Sequence, residues 1–157
     1  MTGYSSSFSG KQVDVAISSV KNSKCYGMLN GWCAVAYVDN ASSWPQSLLL
    51  NVCTRWSDGT PSVALLALIV HANPDYCKCT QLHAMRVSSA CVDMIRFVKE
   101  NANNKVWIEI HVIQGDVGCT VSTIPNSDTG EFACTEEPIA SDLTGATVLK
   151  TWDIAYN

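Results

Sequence analysis

Between residues 71 and 83 the chain places two histidines and two cysteines in the spacing H-x5-C-x-C-x3-H, namely His71, Cys77, Cys79 and His83. Two imidazoles and two thiolates make a complete tetrahedral donor set for zinc, a closed structural site with no position left for a substrate. The C-x-C step departs from the more usual C-x2-C pair, and a chain of 157 residues has enough interior to fold without metal. The leading expectation is therefore no cofactor, with a zinc-stabilised module as an alternative. A second chemistry would need a thiol nucleophile and a base. Cys33 and Cys119 are the candidate thiols and His111 the candidate base, while Glu109, two residues away on an alternating run, falls on the same side as His111 and would orient its ring.

Two resemblances bear on that second chemistry. Asn30-Gly31-Trp32-Cys33, followed much later by His111-Val112-Ile113-Gln114-Gly115, resembles the Cys-before-His order of papain-like cysteine hydrolases. The nucleophile of that family opens a helix whose dipole lowers the thiol pKa, whereas Cys33 enters a strand-like run. Gly115-Asp116-Val117-Gly118-Cys119 resembles the Gly-x-Cys-Gly loop of viral chymotrypsin-like proteases, with Thr120 standing where that loop needs glycine. Either resemblance implies a small cysteine hydrolase using Cys33 or Cys119 with His111. The plainer reading of the same cysteines is as small buried hydrophobes, among the commonest uses of a free thiol. A strand order broken by one helix also resembles ribonuclease H-like folds, but Gln81 and His111 occupy positions where that chemistry needs carboxylates. Phosphate-binding glycine loops, G-x-S-x-G and H-E-x-x-H are absent from the sequence.

The elements that would carry these residues follow from periodicity. Val13, Val15 and Ile17 alternate with polar residues over 12–18 and predict a strand after a Ser- and Gly-rich arm at residues 1–10. Residues 31–38 and 48–55 are rich in large and β-branched side chains and predict two more, the second leading into a hairpin at Ser57-Asp58-Gly59-Thr60. Residues 63–70 are apolar throughout, the pattern of a central strand covered on both faces. From Thr80 to Ala102 the spacing of Ala84, Val87, Cys91, Met94, Ile95, Val98 and Ala102 predicts one long amphipathic helix, with Arg96 and Glu100 paired four residues apart. Strands are expected again at 105–113, 119–124 and 147–156, with a long polar loop opening at 125–130. The expected fold is α+β: about seven or eight mainly antiparallel strands, with the helix near 80–102 inserted between two of them. Residues 11–157 are taken as one domain.

Composition narrows the function. Charged residues make up 15% of the chain, against roughly 25% in ordinary globular proteins, so its surface must be largely Ser, Thr and Asn. Such a surface loses little on being covered, and it suits packing against copies of the same chain or another protein. A formal net charge of −4 and scattered lysines and arginines argue against direct nucleic-acid binding. The longest apolar run is far short of a membrane span, and Met1 to Ser7 lacks the basic and apolar regions of a signal peptide. These features together predict a non-enzymatic structural or protein-interaction domain of coat-like or surface style. It would be a self-assembling homo-oligomer, placed in the cytoplasm or a virion.

Overall fold

The computed structural model describes residues 23–28, 30–38, 41, 44–55, 61–102, 104–113, 117–125, 132–140 and 145–157, giving only the backbone at 23–28, 55, 117–125 and 132–140. The sequence-predicted arm at 1–10 and the strand at 12–18 lie outside the described residues. Ten strands run through the described part: β1 (Ser23–Met28), β2 (Gly31–Val38), β3 (Gln46–Arg55), β4 (Pro61–Val70), β5 (Lys78–Arg86), β6 (Val92–Glu100), β7 (Val106–Val112), β8 (Val117–Pro125), β9 (Phe132–Ala140) and β10 (Ala146–Asp153). A single 3-10 turn, Pro74–Tyr76, joins β4 to β5, capped by the Asn73 side chain accepting from the Asp75 amide.

All the pairings are antiparallel and they form two five-stranded sheets. The front sheet has the order β1-β8-β3-β4-β5 and the back sheet the order β10-β6-β7-β2-β9. Within the front sheet, β3, β4 and β5 are consecutive neighbours and β8 returns to lie beside β3. That is the spatial order of a Greek key, with two strands of the back sheet visited on the way. Strands β3 and β4 pair antiparallel along their whole length, as the hairpin signal at Ser57-Asp58-Gly59-Thr60 implied, with the linking residues 56–60 outside the described residues.

Inward side chains of both sheets share one apolar cluster. Leu48, Leu50 and Val52 of β3 and Ala64, Leu66 and Leu68 of β4 meet Val92, Ile95 and Phe97 of β6 and Val106, Ile108, Ile110 and Val112 of β7. Each large side chain so buried contributes about 1.5–3 kcal/mol relative to exposure. Thr54 and Ser62, directly opposite each other near the link that joins β3 to β4, bring two buried hydroxyls into this layer and hydrogen-bond to one another.

The expected α+β class and the helix over 80–102 are both overturned. Residues 80–102 are most of β5, a link, all of β6 and the start of the turn after it, and no helix of seven or more residues occurs among the described residues. The helical spacing has a specific origin. A bulge between Val92 and Met94 puts Val92 and Ile95, three apart, on the core side, and Phe97 follows by a normal step of two. Val98 faces outward yet is also buried, in a second small cluster with Ala34 and Trp107. A bulge plus two buried faces thus reproduces the three- and four-residue steps of an amphipathic helix. Ser88 and Ser89 lie in the link, and Val87, expected on the packed side, is 75% exposed.

Two strands were read otherwise from the sequence. No strand was predicted where β1 lies, and the polar loop expected to open at 125–130 leads into β9. Both are edge strands, where ladder-breaking residues are tolerated. Pro138 falls where the β2–β9 register jumps from Ala36↔Cys134 to Ala34↔Ile139, so its missing N–H interrupts no ladder bond there. At the C-terminus, Ile154 donates its amide to Asp93 O, the Gln81 side chain grips both backbone groups of Ala155, and the Asn157 amide donates to Ala84 O. This tail ties edge β10 to edge β5.

Candidate functional site

The four residues with zinc-ligand spacing do not converge. Cys77 is fully buried and its thiol donates to the carbonyl oxygen of His71, 3.1 Å away. His71 accepts from the Asn73 amide through Nδ1 and lies edge-on to Tyr76. On β5, Cys79 is paired with Leu68 and turns toward the core, whereas His83 is paired with Leu65 and turns outward. Burial pushes the Cys77 thiol up from 9.0 and that of Cys79 up to about 11, so both thiols hold their protons near neutrality. Among the described residues no three His, Cys, Asp or Glu side chains are grouped to hold an ion.

The hydrolase candidates are also separated. Cys33 is opposite Ile110 and sits in the core, with its sulfur 3.9 Å from Gly31 O. Glu109 and His111 lie on the other face of the same sheet, as the alternation of β7 requires. Cys119 belongs to β8 of the front sheet, where it is paired with Thr54 and Tyr26 and its side chain is outside the described residues. Asp116 is likewise outside them.

Glu109 and His111 do share a face, but each has a partner that the sequence did not suggest. Arg96 lies directly across from Glu109, and its Nε donates to Glu109 Oε2 at 2.6 Å. The arginine expected to pair with Glu100 on a helix therefore pairs across strands instead. Its guanidinium also lies 4.1 Å from the ring centre of Trp32, a cation–π contact. Trp32 in turn packs at 5.0 Å against His111, whose Nδ1 is 2.7 Å from Asp93 Oδ1. A carboxylate only accepts, so the proton lies on Nδ1 and Asp93 sets the ring's orientation. Further along the same face, Lys105 covers the rings of Tyr37 and Trp107, and Trp107 Nε1 donates to Glu100. The outward back face is a continuous ladder of aromatic and ionic contacts, with Glu109 fully buried within it. This array holds an oriented imidazole, but the cysteines proposed to work with it lie in the core and in the other sheet.

The outward front face is of a different kind. Register and alternation put Ser47, Leu49, Asn51 and Cys53 of β3 beside Val63, Leu65, Ala67 and Ile69 of β4, and these beside Lys78, Thr80, His83 and Met85 of β5. The centre of this face is apolar and partly open. Leu49, Val63, Leu65 and Ala67 are half-buried, and Ile69 and Met85 are 39% and 49% exposed. Strand β4 was expected to be covered on both faces. Only its inward row, Ser62, Ala64, Leu66, Leu68 and Val70, is buried, so that expectation is corrected. The missed signal was in β3: polar Ser47, Asn51 and Cys53 alternate with Leu48, Leu50 and Val52, which already marks that side of the sheet as outward.

The architecture defines the chain as a two-sheet antiparallel β-sandwich. No family model and no curated protein matches it. The tailspike protein of Acinetobacter phage vB_ApiP_P1 is similar in structure at a TM-score of 0.40 and 14% sequence identity, over 86% of this chain and 24% of the tailspike. The chain thus spans about a quarter of that protein's length. A likeness this loose carries no function across. No helix among the described residues is long and apolar enough to cross a membrane.

Proposed function

We propose that this domain is a non-enzymatic structural module that works by protein–protein contact, as a self-assembling subunit of a coat-like or surface structure. The observation that carries the reading is the partly open apolar centre of the front face, on a sandwich whose interior is already filled. Contiguous exposed apolar surface on a soluble domain marks an interaction site. The low charge of the chain supports the same reading, since few ions must be stripped of water when the surface is covered. The buried, protonated thiols of Cys77 and Cys79 suit packing rather than reaction.

The test is size-exclusion chromatography with light scattering at a low and a high protein concentration. A mass above the monomer that rises with concentration is the expected result. A strict monomer at the higher concentration removes self-assembly. Iodoacetamide labelling at pH 6 addresses the catalytic alternative: one rapidly modified cysteine would restore the hydrolase reading, and uniformly slow labelling is expected.

A further inference from the structure

We infer that Asn30-Gly31 is a site of spontaneous covalent modification, where the Asn30 amide is lost to a cyclic imide that water then opens to isoaspartate and aspartate. The inference is independent of the self-assembly reading.

Asparagine is among the thermolabile residues, but the reaction makes demands on its surroundings. The backbone nitrogen of the next residue must reach the side-chain carbonyl carbon, no side chain on that residue may stand in the way, and the main chain between the two must be able to turn. Asn30-Gly31 is the only Asn-Gly pair in the sequence. Asn30 is exposed in a bend, within the two-residue link that joins β1 of the front sheet to β2 of the back sheet. Gly31 has a φ of 106°, in the region that favours glycine, and a Cβ added there would meet nothing within 4 Å, so the space beside it is open. It is the first residue of β2 and is paired only with Val112, because the register with β9 starts at Cys33. A strand end held on one side opens locally more readily than a strand centre.

The other described asparagines that precede a residue each miss a requirement. Asn51 lies mid-strand in β3 with partners on both β4 and β8, precedes β-branched Val52, and donates its amide to Cys53 Sγ at 3.4 Å. Asn73 precedes Pro74, which has no N–H to lose, and its carbonyl oxygen caps the 3-10 turn. Asn101 precedes Ala102 and accepts from Thr147 Oγ1, and Asn104 precedes the long side chain of Lys105.

The steps balance with water as the one co-reactant. The Gly31 nitrogen gives up its proton and attacks Asn30 Cγ. An N–Cγ bond forms, the Cγ–Nδ2 bond breaks, and Nδ2 leaves as ammonia, the proton lost from Gly31 being matched by the one that Nδ2 gains. Water then adds to one carbonyl of the imide. Opening at Cγ gives aspartate, whereas opening at the main-chain carbonyl routes the backbone through Cγ and gives isoaspartate, one carbon longer in the chain. Either product replaces a neutral amide by a carboxylate, which takes the formal net charge from −4 to −5.

The experiment holds the native chain in mildly alkaline buffer for two weeks beside a sample unfolded in urea, and ion exchange separates the more acidic product. Trypsin releases the peptide from Cys25 to Arg55, which carries Asn30 and Asn51 together, and electron-transfer fragmentation in a mass spectrometer reads conversion at each and distinguishes isoaspartate from aspartate. In the native chain Asn30 is expected to convert roughly ten times faster than Asn51, or more, with isoaspartate as the major product. Asn30→Gln, whose longer side chain must close a six-membered ring, should give no acidic product over the same period. An Asn30 amide that survives in the native chain as long as that of Asn51, whether or not the urea sample converts, would overturn the inference. Native conversion to aspartate alone would overturn it as well, because no imide would have formed.

Discussion

The two outward faces of the sandwich reverse what their strands suggest in isolation. Strand β4 is apolar at every position from Val63 to Val70, yet its outward row is only half-covered. Strand β7 sends Trp107, Glu109 and His111 outward, yet Trp107 and Glu109 are buried. The difference lies in what stands on the neighbouring strands. Across from Glu109, β6 supplies Arg96, and across from His111, β2 supplies the flat ring of Trp32, so long side chains lie down over one another and close the face without a third layer. Across from Leu65 stand Asn51 and His83, which are too short or too exposed to cover it. Burial of a strand face is thus a property of cross-strand partners rather than of the strand's own hydropathy.

That contrast can be broken most directly at Arg96. Removing it leaves the Glu109 carboxylate buried without the guanidinium, and Arg96→Ala is expected to cost about 3–5 kcal/mol by urea unfolding. Leu65→Ala should change monomer stability by no more than about 1 kcal/mol. Equal losses from the two variants would mean that the faces do not differ as described. Replacing both ionic partners, as in Arg96→Met with Glu109→Leu, should recover most of the loss, because the penalty is that of an unmatched charge.

Trp32→Ala comes next, with an expected loss of about 1–2 kcal/mol, through the cation–π contact with Arg96 and the packing on His111. A double-mutant cycle with Arg96→Ala should show coupling between the two, and strict additivity would show the stack to be incidental. Asp93→Ala is smaller, about 0.2–1 kcal/mol, since Asp93 and His111 are 40% and 26% exposed. Its clearer readout is the His111 ring, whose NMR signals should broaden or shift as the hydrogen bond at Nδ1 is lost.

At neutral pH the smallest effect concerns Cys79, whose titration acts only in the alkaline range. Its folded pKa, about 11, lies above the 9.0 of an unperturbed thiol, so the folded state holds the proton more tightly than the unfolded state. The resulting stabilisation is complete below pH 9 and is lost as the pH rises from 9 through about 11. Cys79→Ala should flatten that part of the stability–pH curve, and an unchanged slope would show that burial does not hold the proton there.

Much of the strand content was legible because alternation survives wherever one face is buried. Val106, Ile108, Ile110 and Val112 announced β7 and its inward row, and Asp58-Gly59 announced the β3–β4 hairpin. The shared side of Glu109 and His111 was legible for the same reason. Their partners were not, because Asp93 and Arg96 lay in a segment read with the wrong period. Strands β1 and β9 escaped because an edge strand pairs on one side only and tolerates glycine and proline.

The amino-acid sequence by itself determined the low charge of the chain, the inward row of β7 and the β3–β4 hairpin, since these depend on residue type and local spacing. Only the tertiary structure decided that residues 80–102 are strand, that the candidate thiols and His111 lie apart, and that the apolar strand is the one left half-open. Each of those outcomes depends on which strands become neighbours, and a bulge or a cross-strand partner far away in the chain leaves no local trace of that choice.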